Sequence, residues 1–177
     1  MIQTVTSRAA ALGLFYLASG ALISAGHDLL SLLFAAALIP SLVWLSLTDL
    51  ARYEIPDLCV LWVGFVAVLH VLRSGDGLAL HLLTGASVFA VLWAIGELHF
   101  RIRGFEGLGI GDAKLFGAGA VLLGPWKLPE FILLSSLGGV IAVAILRFRS
   151  RKTEGLPFGP FIAFGMYVLF LLEPLFF

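Results

Sequence analysis

The chain alternates between long apolar runs and short polar breaks. Apolar residues dominate 9–25, 29–50, 57–72, 78–98, 112–123, 131–146 and 161–175, and charges, glycine or proline end each run. Inside the runs, apolar and polar side chains do not take turns as the two faces of a membrane barrel strand would. Most runs approach the roughly 20 residues that a helix needs to cross a bilayer, and backbone groups in lipid must be paired internally. The pattern predicts an all-α, polytopic membrane helical bundle. It has six core transmembrane helices in residues 28–177 and one extra amino-terminal helix in residues 1–27, all in a single membrane domain.

The breaks refine this picture. Pro40 lies inside the second run and predicts a kink, because proline removes a backbone donor and clashes one turn back. Pro56 suits the first turn of the third helix. The segment 73–77, with two glycines, reads as a turn, and Gly124-Pro125 stops a short fifth helix. The first run, which follows Arg8, also has the make-up of a cleaved signal peptide; a retained helix is the expectation.

Composition agrees: 60% of the residues are hydrophobic and 12% are charged, against roughly one quarter charged in a soluble domain. Lys+Arg and Asp+Glu both number 11, so no overall charge recruits nucleic acid. The single cysteine, Cys59, excludes an internal disulfide and a Cys-x-x-Cys zinc site. His27, His70, His81 and His99 are scattered over different runs, so neither a metal nor an organic cofactor is expected.

The placement of positive charge carries more information than its sum. Counted over alternate breaks, Arg8, Arg52, Arg101, Arg103, Arg147, Arg149, Arg151 and Lys152 fall on one side, and Arg73 and Lys127 on the other. Short cytoplasmic loops are enriched in Lys and Arg, so the amino terminus and the breaks after runs two, four and six are expected in the cytoplasm. Asp49 ends run two and Asp112 begins run five, so the two acids share that face.

An ionisable residue at membrane depth is costly and marks a functional hypothesis. Asp112 and Lys114 follow a stretch with glycines at 104, 107, 109 and 111. Glycines there let backbone or a substrate strand come close, and the loop 104–111 is expected to close over an extended substrate. Two carboxylates at one depth could bind a cation, relay protons, or activate water as an acid/base pair. Coupled acids share their titration, so neither takes a fixed role, although the positive end of the helix dipole leans toward Asp112 as the base. Around them, Glu97, Asp57 and Glu106 could receive a cationic segment, and Lys114 could touch substrate or support Asp112. Solvated helix ends and a snorkelling lysine are the plainer accounts of the same charges. A small ion- or proton-coupled transporter could use the same acids, but internal repeats of the kind common in transporters are not seen.

Three motifs carry a resemblance. Gly109-Ile110-Gly111-Asp112, followed by Ala113-Lys114-Leu115, resembles the GxGD signature of the bacterial prepilin peptidases, or type IV leader peptidases. Asp49, ahead of Ile55-Pro56-Asp57, is similar to that family's first catalytic aspartate and its following Ile-Pro-Asn/Asp. Pro157-Phe158-Gly159-Pro160 resembles the family's Pro-Phe-Gly-Pro turn. Presenilin-type proteases share GxGD but differ in the partner-aspartate motif.

The resemblance implies a bacterial inner-membrane aspartic endopeptidase. It would cut the basic leader from pilin-like precursors at the cytoplasmic face, with Asp49 and Asp112 as the catalytic pair. Gly109, Gly111, Lys114, Pro56, Asp57, Glu97, Pro157 and Gly159 would shape the site or bind substrate. The partners implied are precursor proteins with a basic leader and an apolar helix, within the lipid bilayer. Larger members add a four-cysteine segment and methylate the new amino terminus. This chain resembles the short, peptidase-only form.

Overall fold

The computed structural model describes residues 2–23, 28–104, 107–148 and 156–172. Among them lie seven helices and no strand: α1 (Ile2–Ile23), α2 (Leu29–Arg52), α3 (Asp57–Ser74), α4 (Leu78–Arg103), α5 (Ile110–Leu123), α6 (Leu128–Phe148) and α7 (Gly159–Leu171). Four are long and apolar enough to cross a membrane: α2, α3, α4 and α6 over Leu128–Ile145. With the shorter apolar helices beside them they make a multi-pass membrane bundle. Predicted points at His27, Glu106, 149–152 and 173–175 lie outside the described residues, as do 105–106 of the loop expected to close.

The boundaries shift in ways that matter for the site. α2 runs unbroken through Pro40 to Arg52. α4 continues to Arg103, five residues past its predicted end, and stops where Gly104 takes a left-handed turn at φ 75°. The chain then doubles back, so that a Cβ on Gly96 would lie 3.1 Å from the Leu108 carbonyl oxygen. Gly96 sits seven residues before the end of α4, about 10 Å along the axis at 1.5 Å per residue. The loop therefore returns beside α4 by roughly that depth and opens α5 below the tip of its neighbour. α5 itself has 14 residues, about 21 Å against a hydrocarbon core of about 30 Å.

This short helix is the centre of the bundle. α5 packs against α4, α3 and α7, while α2 packs against α1, α3 and α7, and α6 lies on α7. Leu42 and Leu45 of α2, Val63 of α3, Leu115 of α5, Phe131 of α6 and Ile162 of α7 form the fully buried core between them. α1 joins it through Tyr16, whose carbonyl oxygen accepts from the Tyr167 hydroxyl at 3.2 Å.

Close approach of α4 and α5 depends on glycine. A Cβ on Gly85 would collide with Val121 Cγ2 and lie 2.7 Å from the Gly117 carbonyl oxygen. The second contact is with backbone, so no rotamer change relieves it. Gly85→Val should lower unfolding stability by about 1–3 kcal/mol, read as a fall in melting temperature in detergent; an unchanged melting temperature would show that the helices can separate freely.

At the end of the bundle away from the acids, Asp28 caps α2 by accepting from the Ser31 amide at 3.3 Å, and Arg73 of α3 donates to its other oxygen. The Ser31 hydrogen bonds, then the Arg73 charge, hold the Asp28 carboxyl below its ordinary value. A lowered native value contributes stability above the unfolded value and loses it as pH falls through the native one. Wild type should therefore melt above Asp28→Asn at neutral pH, and the two should converge below about pH 4. Melting curves across that range check the sign.

Candidate active site

Asp49 sits in the last turn of α2 because the helix is stopped just beyond it. Tyr53 takes the left-handed conformation, φ 58°, and its N–H donates to the Asp49 carbonyl oxygen at 2.9 Å. A non-glycine residue there costs about 1–2 kcal/mol, so the surrounding structure imposes the turn. The Asp49 side chain points into the protein and is buried. Its Oδ2 accepts from the Gly159 amide at 2.8 Å, at the amino-terminal end of α7, where unpaired backbone donors favour a carboxylate.

Gly159 is delivered there by the segment before α7. The Phe158 ring lies over Gly139 of α6, where an added Cβ would come within 2.8 Å of it, and it packs near Phe116 of α5, ring centroids 6.0 Å apart. Pro160 occupies the first turn of α7, a position where its missing N–H is not needed. The predicted Pro157 turn thus acts as scaffold, aiming one backbone N–H at Asp49.

Asp112 is the third residue of α5, whose N-cap is Gly109. Its carboxylate turns back toward the Gly109 backbone amide, the geometry of an acid in the first turn reaching its own N-cap. A Cβ on Gly109 would lie 3.2 Å from Asp112 Oδ2. Asp49 is close enough for its charge to act on Asp112. Both acids line one open cavity of about 370 Å³, together with Tyr53, Glu54, Ile55, Asp57, Gly109, Ile110, Gly111 and Lys114.

Ile55 joins the two halves of the site. A Cβ on Gly111 would lie 3.1 Å from Ile55 Cβ, and one on Gly159 would lie 3.1 Å from Ile55 Cδ1. This side chain is wedged between the residue preceding Asp112 and the residue bonded to Asp49. The glycines were expected to leave room for substrate; at 107, 109 and 111 that room is taken by His99, Asp112 and Ile55. Pro56, half-buried, opens α3 as predicted.

Lys114 supports the neighbourhood through a different acid. Its Nζ donates to Asp57 Oδ1 at 2.7 Å, and the two side chains are 35% and 69% exposed. A pair this exposed contributes about 0.2–1 kcal/mol, so its interest is positional: it ties the start of α3 to α5 at the cavity rim. Glu97 does not enter the carboxylate cavity. It accepts from Arg101 at 2.7 Å and lines an adjoining cavity of about 230 Å³ with Trp93 and Phe100. Gly109 and Ile110 border both cavities. Among the described residues, no three His, Cys, Asp or Glu side chains gather as a metal-binding group.

Residues 36–144 match the sequence profile of the Type IV leader peptidase family, a stretch that holds Asp49 and Asp112 and ends before Pro157. The chain is similar to proteins named prepilin leader peptidase/N-methyltransferase. It is 35% identical to that of Burkholderia pseudomallei over 86% of this chain and 52% of the relative. Against that of Dichelobacter nodosus it is 32% identical, over 82% and 50%. With that of Pseudomonas aeruginosa the figures are 35%, 73% and 46%. The chain thus spans about half the length of the curated relatives it matches. No solved structure matches it. The profile covers more than half of the chain and carries both acids of the cavity, and the chain belongs to the Type IV leader peptidase family.

Proposed function

We propose that this protein is a membrane-embedded aspartic endopeptidase that removes the basic leader of type IV pilin-like precursors, with Asp49 and Asp112 activating water. The observation that carries the reading is the meeting of Asp49 of α2 and Asp112 of α5 in one open cavity. One carboxylate takes a proton from water as it attacks the scissile carbonyl, and the protonated partner gives its proton to the carbonyl oxygen. The same pair then passes a proton to the leaving amine. The Gly159 amide fixes the orientation of Asp49 throughout, because a backbone donor does not titrate or rotate away.

The surroundings favour a peptide with a cationic leader. Glu97, with Trp93 and Phe100, offers a carboxylate and aromatic faces beside the scissile position, and exchanging its Arg101 partner for a substrate cation keeps its charge paired. Arg52 ends α2 just after Asp49, and Arg101 and Arg103 end α4 shortly before Asp112 opens α5, which supports a cytoplasmic site in a bacterial inner membrane. The reaction proposed is hydrolysis of one peptide bond.

Purified protein in liposomes, offered a panel of pilin-like precursors, is expected to release the leader at one junction. No cleavage anywhere in the panel, together with ion or proton flux through the same liposomes, would replace the peptidase with the transporter reading.

A further inference from the structure

α5 is buried on nearly every side after its first turn. The exception is one stripe, Lys114, Ala118 and Val121, which is half-buried. These positions follow i, i+4, i+7 and so share a face. That face opens between α3 and α4, two helices that meet sparsely while each packs closely on α5. The crevice has a volume of about 410 Å³, with Val60 and Leu61 on one wall, Phe89 on the other, and Ala118 and Val121 along the floor.

Its upper end is the Asp57–Lys114 pair, and these two residues also line the carboxylate cavity. The apolar crevice and the two acids are thus neighbouring compartments with one ion pair between them. Another apolar groove, lined by Ser136, Gly139, Val140, Val143, Leu156 and Phe158, shares no residue with that cavity.

We propose that the α3–α4 crevice seats the apolar helix of the peptide substrate. The Asp57–Lys114 pair is the stop that sets which peptide bond reaches Asp49 and Asp112. The inference rests on the peptidase reading and adds the place where the substrate lies. Three compartments follow one another: the cavity of Glu97, the carboxylate cavity, and the apolar crevice. A chain with a cationic leader, a cleavable junction and an apolar helix meets a carboxylate, the reacting acids and an apolar slot in that order. In lipid, helices associate by packing more than by the hydrophobic effect, and the slot offers a shaped surface already open to the bilayer. A helix end docked under the ion pair cannot slide past it without burying a charge, and burying an unpaired charge is unfavourable. The register of the scissile bond follows.

A photo-crosslinking phenylalanine derivative placed at Leu61, 68% exposed on the crevice lip, tests this against the same residue at Leu133, 67% exposed on α6. In proteoliposomes with a pilin-like precursor, irradiation should join position 61 to the precursor's apolar helix and leave position 133 without that adduct. Lipid adducts alone at position 61, or precursor adducts of equal yield at both positions, would overturn the proposal. As a second measurement, Ala118→Phe should raise the KM for the membrane-anchored precursor roughly tenfold or more and diminish the adduct at position 61. An unchanged KM and adduct yield in a variant that melts like wild type would overturn it too. Cleavage without the adduct refutes the crevice and leaves the peptidase; the adduct without cleavage refutes the peptidase and supports the crevice.

Discussion

Asp49→Asn and Asp112→Asn should each reduce precursor cleavage by about 10³-fold or more, since each removes one participant in proton transfer from a step that needs both. Asparagine keeps the size of the side chain and an oxygen that can still accept from the Gly159 amide, so the fold should survive. What it cannot do is exchange a proton with water or the carbonyl. The two losses should not add: with one carboxylate gone, the other has no partner to complete the proton relay, and the double variant should be about as slow as either single one. Initial cleavage rates in liposomes, with melting temperatures as the check on folding, give the answer. A folded single variant that keeps a tenth or more of wild-type activity would remove that acid from the mechanism.

The fold was legible because its main signal is local. Apolar runs broken by charge, glycine and proline located all seven helices, and the sidedness of the arginines brought residues 49 and 112 to one end. α4 and α6 run past the limits that charges and proline predict for them. Arg101 and Arg103 instead extend α4 beyond the depth of α5, and Pro129 is accommodated in the opening turn of α6. The glycine-rich stretch pointed to the place and gave a different reason from the one the structure shows. Composition cannot tell a glycine that admits a ligand from one that admits Ile55 or His99.

Tyr53 has no role legible in the sequence, and Ile55 is marked there only as a member of the Ile55-Pro56-Asp57 motif, for a related reason. A tyrosine carries no sequence signal for a left-handed cap, and an isoleucine before proline looks like any apolar residue at a helix start. Their roles arise from packing across four helices. The Lys114–Asp57 pair spans 57 positions in the chain, and no helical spacing predicts it. Two residues along a helix differ by about 200° in direction, so Lys114 supports the neighbourhood of Asp112 through Asp57 and not through Asp112 itself.

The second large effect is expected at a residue with no side chain. Gly159→Ala should slow cleavage by roughly tenfold to a hundredfold while leaving the melting temperature near that of wild type. The added Cβ would lie 3.0 Å from Asp49 Oδ2, 3.3 Å from its Cγ, and 3.1 Å from Ile55 Cδ1. Those separations are a few tenths of an ångström too small, so the carboxylate and the wedge beside it must give way. A displacement of about 1 Å in a positioned group can cost about 10²-fold in rate, and a smaller shift should cost proportionately less. Helix α7 is not at risk, because residue 159 is at its start and alanine is the better helix former. Enlarging the residue separates geometry from folding: Gly159→Val should deepen the loss through the same contacts. Trimming the other side of the wedge, in Gly159→Ala with Ile55→Val, should restore part of the activity by giving the new methyl group room. Partial recovery in the double variant would show that Ile55 and Gly159 act on Asp49 as one packed unit. If Gly159→Ala cuts at the wild-type rate, the amide of α7 is not what positions Asp49, and its orientation must come from α2 and the turn at Tyr53.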